Sequence, residues 1–248
     1  MDVNAYLRRI DHHGPLAPKA ETLRALHRAH LLAAPFENLD IHLGRPIVLD
    51  EDRLFDKIVR RQRGGFCYEL NGLFAALLRE LGFQVTLLSA RVATGNGSFG
   101  PEFDHLILLV NLDERWLADV GFGDSFIEPL RLDEPGEQRQ ASGVYQIVHR
   151  GAEWGMQAKN RAGAMVDSYL FTLQPRQLAE FNGMCHYQQT SPASHFTQKR
   201  VCSRAAPEGR VTLSGDKLIL TVNGRREEKC LTPPEYAAAL KEHFGIVL

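Results

Sequence analysis

The stretch RGGFCYELNGLF, residues 63–74, is the most informative part of this sequence. Two glycines precede Cys67, and the residues after it have the composition of a helix that closes at Gly82. The first backbone N–H groups of a helix are unpaired and carry partial positive charge, which stabilises a thiolate and lowers the pKa of a thiol. The stretch therefore predicts a reactive cysteine at a helix N-terminus, with a buried structural cysteine as the alternative.

A nucleophilic cysteine needs a base, and the base needs a group that orients it. His105 begins the apolar run HLILLVNL, and Asp119 follows the run RWLA just before a Gly-Phe-Gly turn. If the two runs are neighbouring strands joined by a turn at 113–114, His105 and Asp119 come close together. Asp104 is the nearest alternative acid, but adjacent side chains on a strand point to opposite faces. The sequence thus favours Cys67, His105 and Asp119 as catalytic residues.

The bulk composition is that of an ordinary soluble globular protein. The chain has 248 residues, 44% of them hydrophobic and 24% charged, with a formal net charge of −1. This balance argues against nucleic-acid or membrane partners, and we find neither a signal peptide nor a membrane-length apolar run. The four cysteines form no CxxC pair, which is typical of free thiols in a reducing cytoplasm.

The hydrophobic period divides the chain into three parts. Helical spacing dominates residues 1–82, which carry the nucleophile. Short runs rich in β-branched and aromatic residues follow from 83 to about 173, with a helix after Pro175, so 83–190 form an antiparallel sheet or small barrel with a connecting helix. Residues 191–248 contain a predicted hairpin at Asn223-Gly224 and a last helix. The fold class is therefore α+β.

Several motifs, in this order, resemble the arylamine N-acetyltransferase family. They are PFENLD at 35–40, RGGFCYELNGLF at 63–74, DHL at 104–106, DVGFG at 119–123 and, for a third segment, SPASHFT at 191–197. The resemblance implies an N-terminal helical bundle, a central antiparallel β-barrel and a C-terminal α/β lid around a cysteine-protease-like core. It implies a Cys–His–Asp triad and ping-pong transfer through acetyl-cysteine. The co-substrate is acetyl-CoA, with no permanently bound cofactor, and the acceptors are arylamines, arylhydrazines or N-hydroxyarylamines.

The resemblance also assigns roles to residues outside the triad. It places Phe122 in the wall of the acceptor pocket, with Phe36 and Phe66 as further candidates. It pairs Arg63 with Glu37 as a structural ion pair. The predicted coenzyme contacts are Gly95, Gly97, Ser98 and Phe196. The expected setting is cytoplasmic xenobiotic metabolism, in a monomer or a homodimer.

Three other classes of protein could contain these residues. A papain-like enzyme is disfavoured, because His105 follows Cys67 by only 38 residues (105 − 67). A transglutaminase-like or other Cys-His-Asp acyl transferase stays open, because it also passes through an acyl-thioester. A non-catalytic binding module is disfavoured by the presence of all three side chains.

Two further motifs have simpler interpretations. The run GNGSFG at 95–100 fits G-x-G-x-x-G but leads into a strand rather than a helix, so it predicts no dinucleotide site. The spacing of Cys185, His186, His195 and Cys202 matches no structural zinc pattern, so no metal is predicted.

Overall fold

The computed structural model describes residues 1–95 and 97–248. The first third is helical: α1 (Val3–Arg9), α2 (Ala20–Ala33), α3 (Leu39–His42), α4 (Glu51–Phe55), a π-helical turn (Asp56–Arg60) and α5 (Cys67–Glu80). Every residue of α5 from Cys67 to Leu78 is buried. The helix is therefore enclosed on all sides instead of along one stripe, and its polar residues Glu69 and Asn71 are buried with the rest.

The middle of the chain forms one antiparallel sheet. Its strands are β2 (Gln84–Val92), β3 (His105–Asn111), β4 (Arg115–Ala118), β5 (Leu130–Arg131), β6 (Glu137–Gln140), β7 (Gly143–Arg150), β8 (Glu153–Lys159) and β9 (Met165–Phe171). Their spatial order is β5-β4-β3-β2-β9-β8-β7-β6 within the described residues. One face packs on α5, because β3 supplies Leu106 and Leu108 to the same buried cluster as that helix.

The two outer strands of this sheet are joined by glutamine side chains. Gln138 on β6 accepts from the amide of Arg131 at 2.9 Å and donates to its carbonyl at 2.8 Å. Gln140 bonds in the same way to the backbone of Ile127 and Glu128. These side chains make hydrogen bonds to the backbone across the gap between β6 and residues 127–131, where strands would otherwise pair. The sheet is therefore nearly a closed barrel, and its edges are covered.

The last part of the chain forms a second antiparallel sheet with helices beside it. It comprises β10 (Val201–Ala206), β11 (Gly209–Ser214), β12 (Lys217–Val222), β13 (Arg225–Cys230) and α8 (Pro233–Phe244). A 3-10 turn (Leu178–Phe181), α6 (Asn182–Thr190) and α7 (His195–Gln198) precede it. Strand β1 (Phe36–Glu37) pairs with β10, so the helical N-terminal part contributes an edge to this sheet.

The α+β class is confirmed, with a helical bundle, a near-barrel sheet and an α/β lid. The hairpin at Asn223-Gly224 is also confirmed. The helix expected from Pro175 begins later, at Leu178. The boundaries 1–82, 83–190 and 191–248 stay predictions. Among the described residues, no helix combines the length and the apolar character that a membrane crossing requires.

The two glycines before Cys67 serve close packing. A glycine at position 64 suits a helix C-cap, but the residue with left-handed backbone after the preceding helix is Gln62, with φ 52°. A Cβ added at Gly64 would lie 1.8 Å from the carbonyl oxygen of Pro35, and one at Gly65 would lie 2.7 Å from the side chain of Glu69. The backbone at 64–65 therefore approaches its neighbours more closely than any side chain permits.

Gly64→Ala should move the 63–66 segment away from Pro35, because the obstructing atom is backbone oxygen. We expect a loss of roughly 2 kcal/mol or more in the free energy of unfolding, in the range of overpacked cores. Gly183→Ala is the matched control, because its Cβ would meet no heavy atom within 4 Å on helix α6. Urea unfolding should show the control unchanged or stabilised by up to about 1 kcal/mol. Equal stabilities for Gly64→Ala and wild type would contradict this packing argument.

Candidate active site

Cys67 is the first residue of α5 and is almost fully buried, with 3% of its surface exposed. Glu69, two residues later, accepts a hydrogen bond from the amide of Phe66 at 3.1 Å. This side chain satisfies one of the backbone donors that a helix N-terminus leaves unpaired. The start of α5 is thereby fixed at the residue that carries the thiol.

His105 and Asp119 form a buried hydrogen bond. His105 Nε2 lies 2.7 Å from Asp119 Oδ2, and the two residues are 3% and 1% exposed. His105 begins β3, and Asp119 comes directly after β4, which pairs with β3. The alternative acid, Asp104, is engaged elsewhere, because its Oδ1 accepts from Gln188 at 2.8 Å.

The carboxylate of Asp119 is ionised despite its burial. Burial by itself would raise its pKa, but His105 and hydrogen bonds from Asn71 and the amide of Gly121 hold the pKa below its usual value. Asp119 Oδ1 accepts from Asn71 Nδ2 at 2.8 Å and from the Gly121 amide at 2.9 Å. The oxygen facing His105 is left as a charged acceptor, which is the arrangement that orients an imidazole.

Asn71 links the helix that carries the thiol to both strands. Its Nδ2 also donates to the carbonyl of Leu106 at 2.7 Å, and its Oδ1 accepts from the amide of Val120 at 2.8 Å. Asn71 follows Cys67 by four residues on α5, so both side chains lie on one helix face. A single buried amide therefore positions Cys67, β3 and the Asp119 turn relative to one another.

Cys67 and the Gly-Phe-Gly turn are in direct contact. A Cβ at Gly121 would lie 2.7 Å from Cys67 Cα. Burial raises the pKa of the Cys67 thiol, and the charge of Asp119 raises it further, against one backbone hydrogen bond from Leu106 that lowers it. We expected the helix N-terminus to lower this pKa. That prediction is wrong for the thiol by itself, because removal from water outweighs the helix end.

Two aromatic rings, those of Phe122 and Tyr169, pack against the His105 imidazole. The ring centroid of Phe122 lies 5.2 Å from that of His105, and Tyr169 lies 5.4 Å from His105 and 5.3 Å from Phe122. Phe122 is half-buried, whereas Tyr169 is fully buried. Phe122 thus contacts the imidazole and keeps part of its surface accessible.

The other predicted aromatic residues form a second cluster at the start of α5. Phe196 lies 6.1 Å from Phe36 and 5.7 Å from Phe66, measured between ring centroids. Phe66 is fully buried, and Phe36 and Phe196 are half-buried. Phe36 also faces Gly123, at the end of the turn that carries Phe122.

Five buried charged side chains lie behind the nucleophile. Arg63 Nη2 contacts Glu37 at 2.8 Å and Asp40 at 3.1 Å, and Lys57 Nζ contacts Asp40 and Glu69 at 2.8 Å each. The predicted pair of Arg63 and Glu37 is therefore part of a larger network. Burial raises the pKa of Glu69 to about 6, even though Lys57 lowers it. Removing one partner from such a network costs about 3–5 kcal/mol, because a buried charge is left unpaired.

Three of the four predicted coenzyme residues lie in the loop between β2 and β3, and the fourth, Phe196, lies on α7. Gly95, Gly97 and Ser98 are exposed, and both glycines have left-handed backbone, with φ 83° and 86°. Asn96 of the same motif lies outside the described residues. Across residues 1–95 and 97–248 we find no cluster of three or more His, Cys, Asp or Glu side chains able to hold a metal ion.

Sequence reasoning missed several residues at this site. Asn71 could have been predicted from the sequence, because helical spacing places it one turn beyond Cys67, on the same face of the helix. Tyr169 and His27, whose Nε2 accepts from the amide of Asp119 at 3.1 Å, had no such signal. His27 is 92 positions from Asp119 along the chain, and its helical run resembles any amphipathic helix. Lys57, on a helical run that is acidic at its start and basic at its end, had no such signal either.

The fold and the site together define a three-part α+β protein holding the side chains that covalent cysteine catalysis uses. A model for the family described as N-acetyltransferase matches residues 19–248. The chain is 36% identical over 250 residues to the arylamine N-acetyltransferase / N-hydroxyarylamine O-acetyltransferase of Salmonella typhimurium, covering 98% of this chain and 88% of that protein. The chain belongs to the N-acetyltransferase family.

Solved structures agree with this assignment. An arylamine N-acetyltransferase from Salmonella typhimurium matches with a TM-score of 0.93 at 35% identity, covering 98% of this chain and 90% of that chain. The Mycobacterium marinum arylamine N-acetyltransferase in complex with CoA matches with a TM-score of 0.92 at 33% identity, covering 99% and 93%.

The neutral histidines of α2 generate a testable pH dependence. Burial lowers the pKa of His30 to about 3, whereas an exposed imidazole titrates near about 6.5. The unfolded chain therefore binds a proton below about pH 6.5 that the folded chain does not bind until about pH 3, so the free energy of unfolding falls as pH drops through this window.

His30→Asn should make this fall less steep by about 1.4 kcal/mol per pH unit between about pH 6 and 4. The asparagine amide takes the place of Nδ1, which lies 2.8 Å from the Tyr6 hydroxyl, so that partner is kept. Urea unfolding of both proteins at a series of pH values measures the two slopes. Parallel slopes would show that His30 is not held neutral.

Proposed function

We propose that the protein is an arylamine N-acetyltransferase. It transfers acetyl from acetyl-CoA to arylamines, arylhydrazines or N-hydroxyarylamines by a ping-pong reaction through acetyl-Cys67. The observation that carries the proposal is the buried hydrogen bond of 2.7 Å between His105 and Asp119, on a turn packed directly against Cys67. The named activities of relatives that align with nearly the whole chain support the substrate class.

His105 acts as the base. The charged Asp119 accepts from Nε2, which leaves Nδ1 unprotonated and able to take the proton of the thiol. The resulting thiolate attacks the carbonyl carbon of the acetyl thioester. Coenzyme A leaves with the proton that His105 held. In the second half-reaction the acceptor amine attacks acetyl-Cys67, and its proton passes to His105.

The buried thiol ionises only together with His105. Because burial raises the pKa of Cys67, the thiol by itself keeps its proton at neutral pH. Transfer of the proton to the imidazole of His105 creates a pair with no net charge, and Asp119 stabilises the imidazolium that forms. We assign the backbone N–H of Cys67, at the unpaired first turn of α5, as a donor to the oxyanion.

The acceptor and the coenzyme have separate assigned contacts. The accessible side of Phe122 forms the aryl pocket with Phe36, across the turn that ends at Gly123. The buried ring of Phe66 packs against Phe196. Phe196 is the candidate for stacking on the adenine.

The exposed loop containing Gly95, Gly97 and Ser98 offers backbone donors to the phosphates of the coenzyme. The charge balance and the free thiols support a cytoplasmic enzyme that acts on small molecules, not on nucleic acid or membranes. A homodimer is compatible with this function.

A transglutaminase-like acyl transferase differs in its donor. Acetyl-CoA would leave an acetyl group on the thiol and release coenzyme A, whereas a glutamine peptide would release ammonia and leave its γ-acyl group, with the peptide attached, on the thiol. The two donors can therefore be compared directly by the adduct that forms.

Acetyl-CoA without acceptor should acetylate Cys67 and release one equivalent of coenzyme A. Intact-mass analysis and peptide mapping locate the adduct. Cys67→Ala should remain folded and lose it, whereas Cys230→Ala, which removes an exposed thiol, should keep it. An adduct on Cys185 or Cys202, or labelling by a glutamine peptide in place of acetyl-CoA, would overturn the proposal.

Asp119→Asn should lower turnover by about 10³–10⁴-fold, as in other triads in which this acid becomes an amide. Two donors hold Oδ1, so the new amide nitrogen faces His105 and donates to Nε2. The imidazole proton then moves to Nδ1, which can no longer accept from the thiol. Acetylation rates with pre-steady-state mixing measure the effect, and thermal unfolding serves as the control for stability. A variant within a few-fold of wild type would show that another acid serves His105.

A further inference from the structure

His27 contacts both ends of the segment that contains Asp119 and Phe122. Its Nε2 lies 3.1 Å from the backbone N of Asp119, and its Nδ1 lies 2.9 Å from the carbonyl oxygen of Ile127. The residue belongs to α2 in the helical bundle, yet it reaches across to the loop that leaves β4. One side chain thus bridges residues 119 and 127.

The two contacts fix the proton on the ring. The amide of Asp119 can only donate, so Nε2 of His27 must accept and carries no hydrogen. The carbonyl of Ile127 can only accept, so Nδ1 carries the single proton. A second proton would place an N–H against the N–H of Asp119. The arrangement therefore requires a neutral imidazole in one tautomer.

The surroundings of His27 keep it neutral and oriented. The side chain is fully buried, stacks on Phe126 with 15° between the ring planes, and meets the edge of Phe74. Burial lowers its pKa to about 4, while the facing carboxylate of Asp119 acts in the opposite direction. His30, on the same helix, is buried and neutral as well.

We infer that His27 is a positioning residue for the reaction: its bond to the amide of Asp119 ties that backbone to the helical bundle and so sets Asp119 against His105, while its bond to Ile127 fixes the tautomer of the ring. The inference rests on the proposed function, because Asp119 is taken as the acid of the triad. His27 acts through the backbone of Asp119, while Asn71 and Gly121 hold the carboxylate itself. Shifting the backbone at 119 would lengthen the bond to His105 and move Phe122 with it.

Two amide variants separate the two hydrogen bonds. In His27→Asn the amide nitrogen stands where Nδ1 stood, so the bond to Ile127 survives and the amide of Asp119 loses its acceptor. In His27→Gln the amide oxygen reaches the Nε2 position, so Asp119 keeps its acceptor and the bond to Ile127 is lost. His30→Asn is the matched control, because His30 is an equally buried histidine whose Nδ1 bonds Tyr6 within the bundle.

The measurements are the single-turnover rate of acetylation of Cys67 by acetyl-CoA and the melting temperature of each protein. We expect His27→Asn to acetylate roughly 10-fold more slowly than wild type, the effect of one buried donor left unpaired. The acetylation rates of His27→Gln and His30→Asn should stay within about 3-fold of wild type. This should hold even if their melting temperatures fall as much as that of His27→Asn. This split between rate and stability is the signature of positioning.

Equal rate losses in His27→Asn and His27→Gln would overturn the inference, as would rates that simply follow melting temperature across all three variants. If His27→Asn does not fold, ¹⁵N NMR of ring-labelled wild-type protein decides the matter. It should show Nδ1 of His27 protonated and Nε2 bare, and the opposite tautomer or a charged ring would refute the arrangement. A wild-type protein that forms no acetyl-Cys67 would instead refute the proposed function, and the NMR result would still stand.

Discussion

The hydrogen bond between His105 and Asp119 is the interaction on which the rest of this site depends. Both groups are withdrawn from water, where an unpaired carboxylate is costly, so the bond is formed only if its surroundings hold both partners in place. Asn71 and the amide of Gly121 satisfy the second carboxylate oxygen, and His27 holds the backbone. Asp119 is thus the residue at which side chains of the helical bundle and of the sheet make hydrogen bonds to one another's elements.

The same burial explains why the thiol cannot be understood alone. A helix N-terminus lowers the pKa of an exposed cysteine, and the motif before Cys67 led us to expect that effect. Removal from water acts the other way and is larger. Under the proposed mechanism we therefore expect reactivity to depend on His105 more than on the helix N-terminus.

The hydrophobic period and the turn residues of the sequence predicted the helices and strands that short stretches of chain determine. The helix after Cys67 and the strands beginning at His105 and ending before Asp119 follow from periodicity and turn chemistry. Contacts made across the fold were out of reach: the pairing of His27 with Asp119 spans 92 positions, and the closure of the sheet by Gln138 involves an ordinary polar residue. Burial of the Cys67 thiol also depends on contacts across the fold. The motif before Cys67 therefore predicted a lowered pKa for the thiol, whereas burial raises it.

The most direct test of the central claim is the pH dependence of Cys67 alkylation by iodoacetamide, with the exposed Cys230 as the internal reference. If the thiol ionises only as a pair with His105, Cys67 should react faster than Cys230 at mildly acidic pH. The substitution His105→Ala should then make Cys67 the slower of the two at every pH. A wild-type Cys67 that becomes reactive only near the free-thiol pKa of about 8.5, with no change in His105→Ala, would contradict the account.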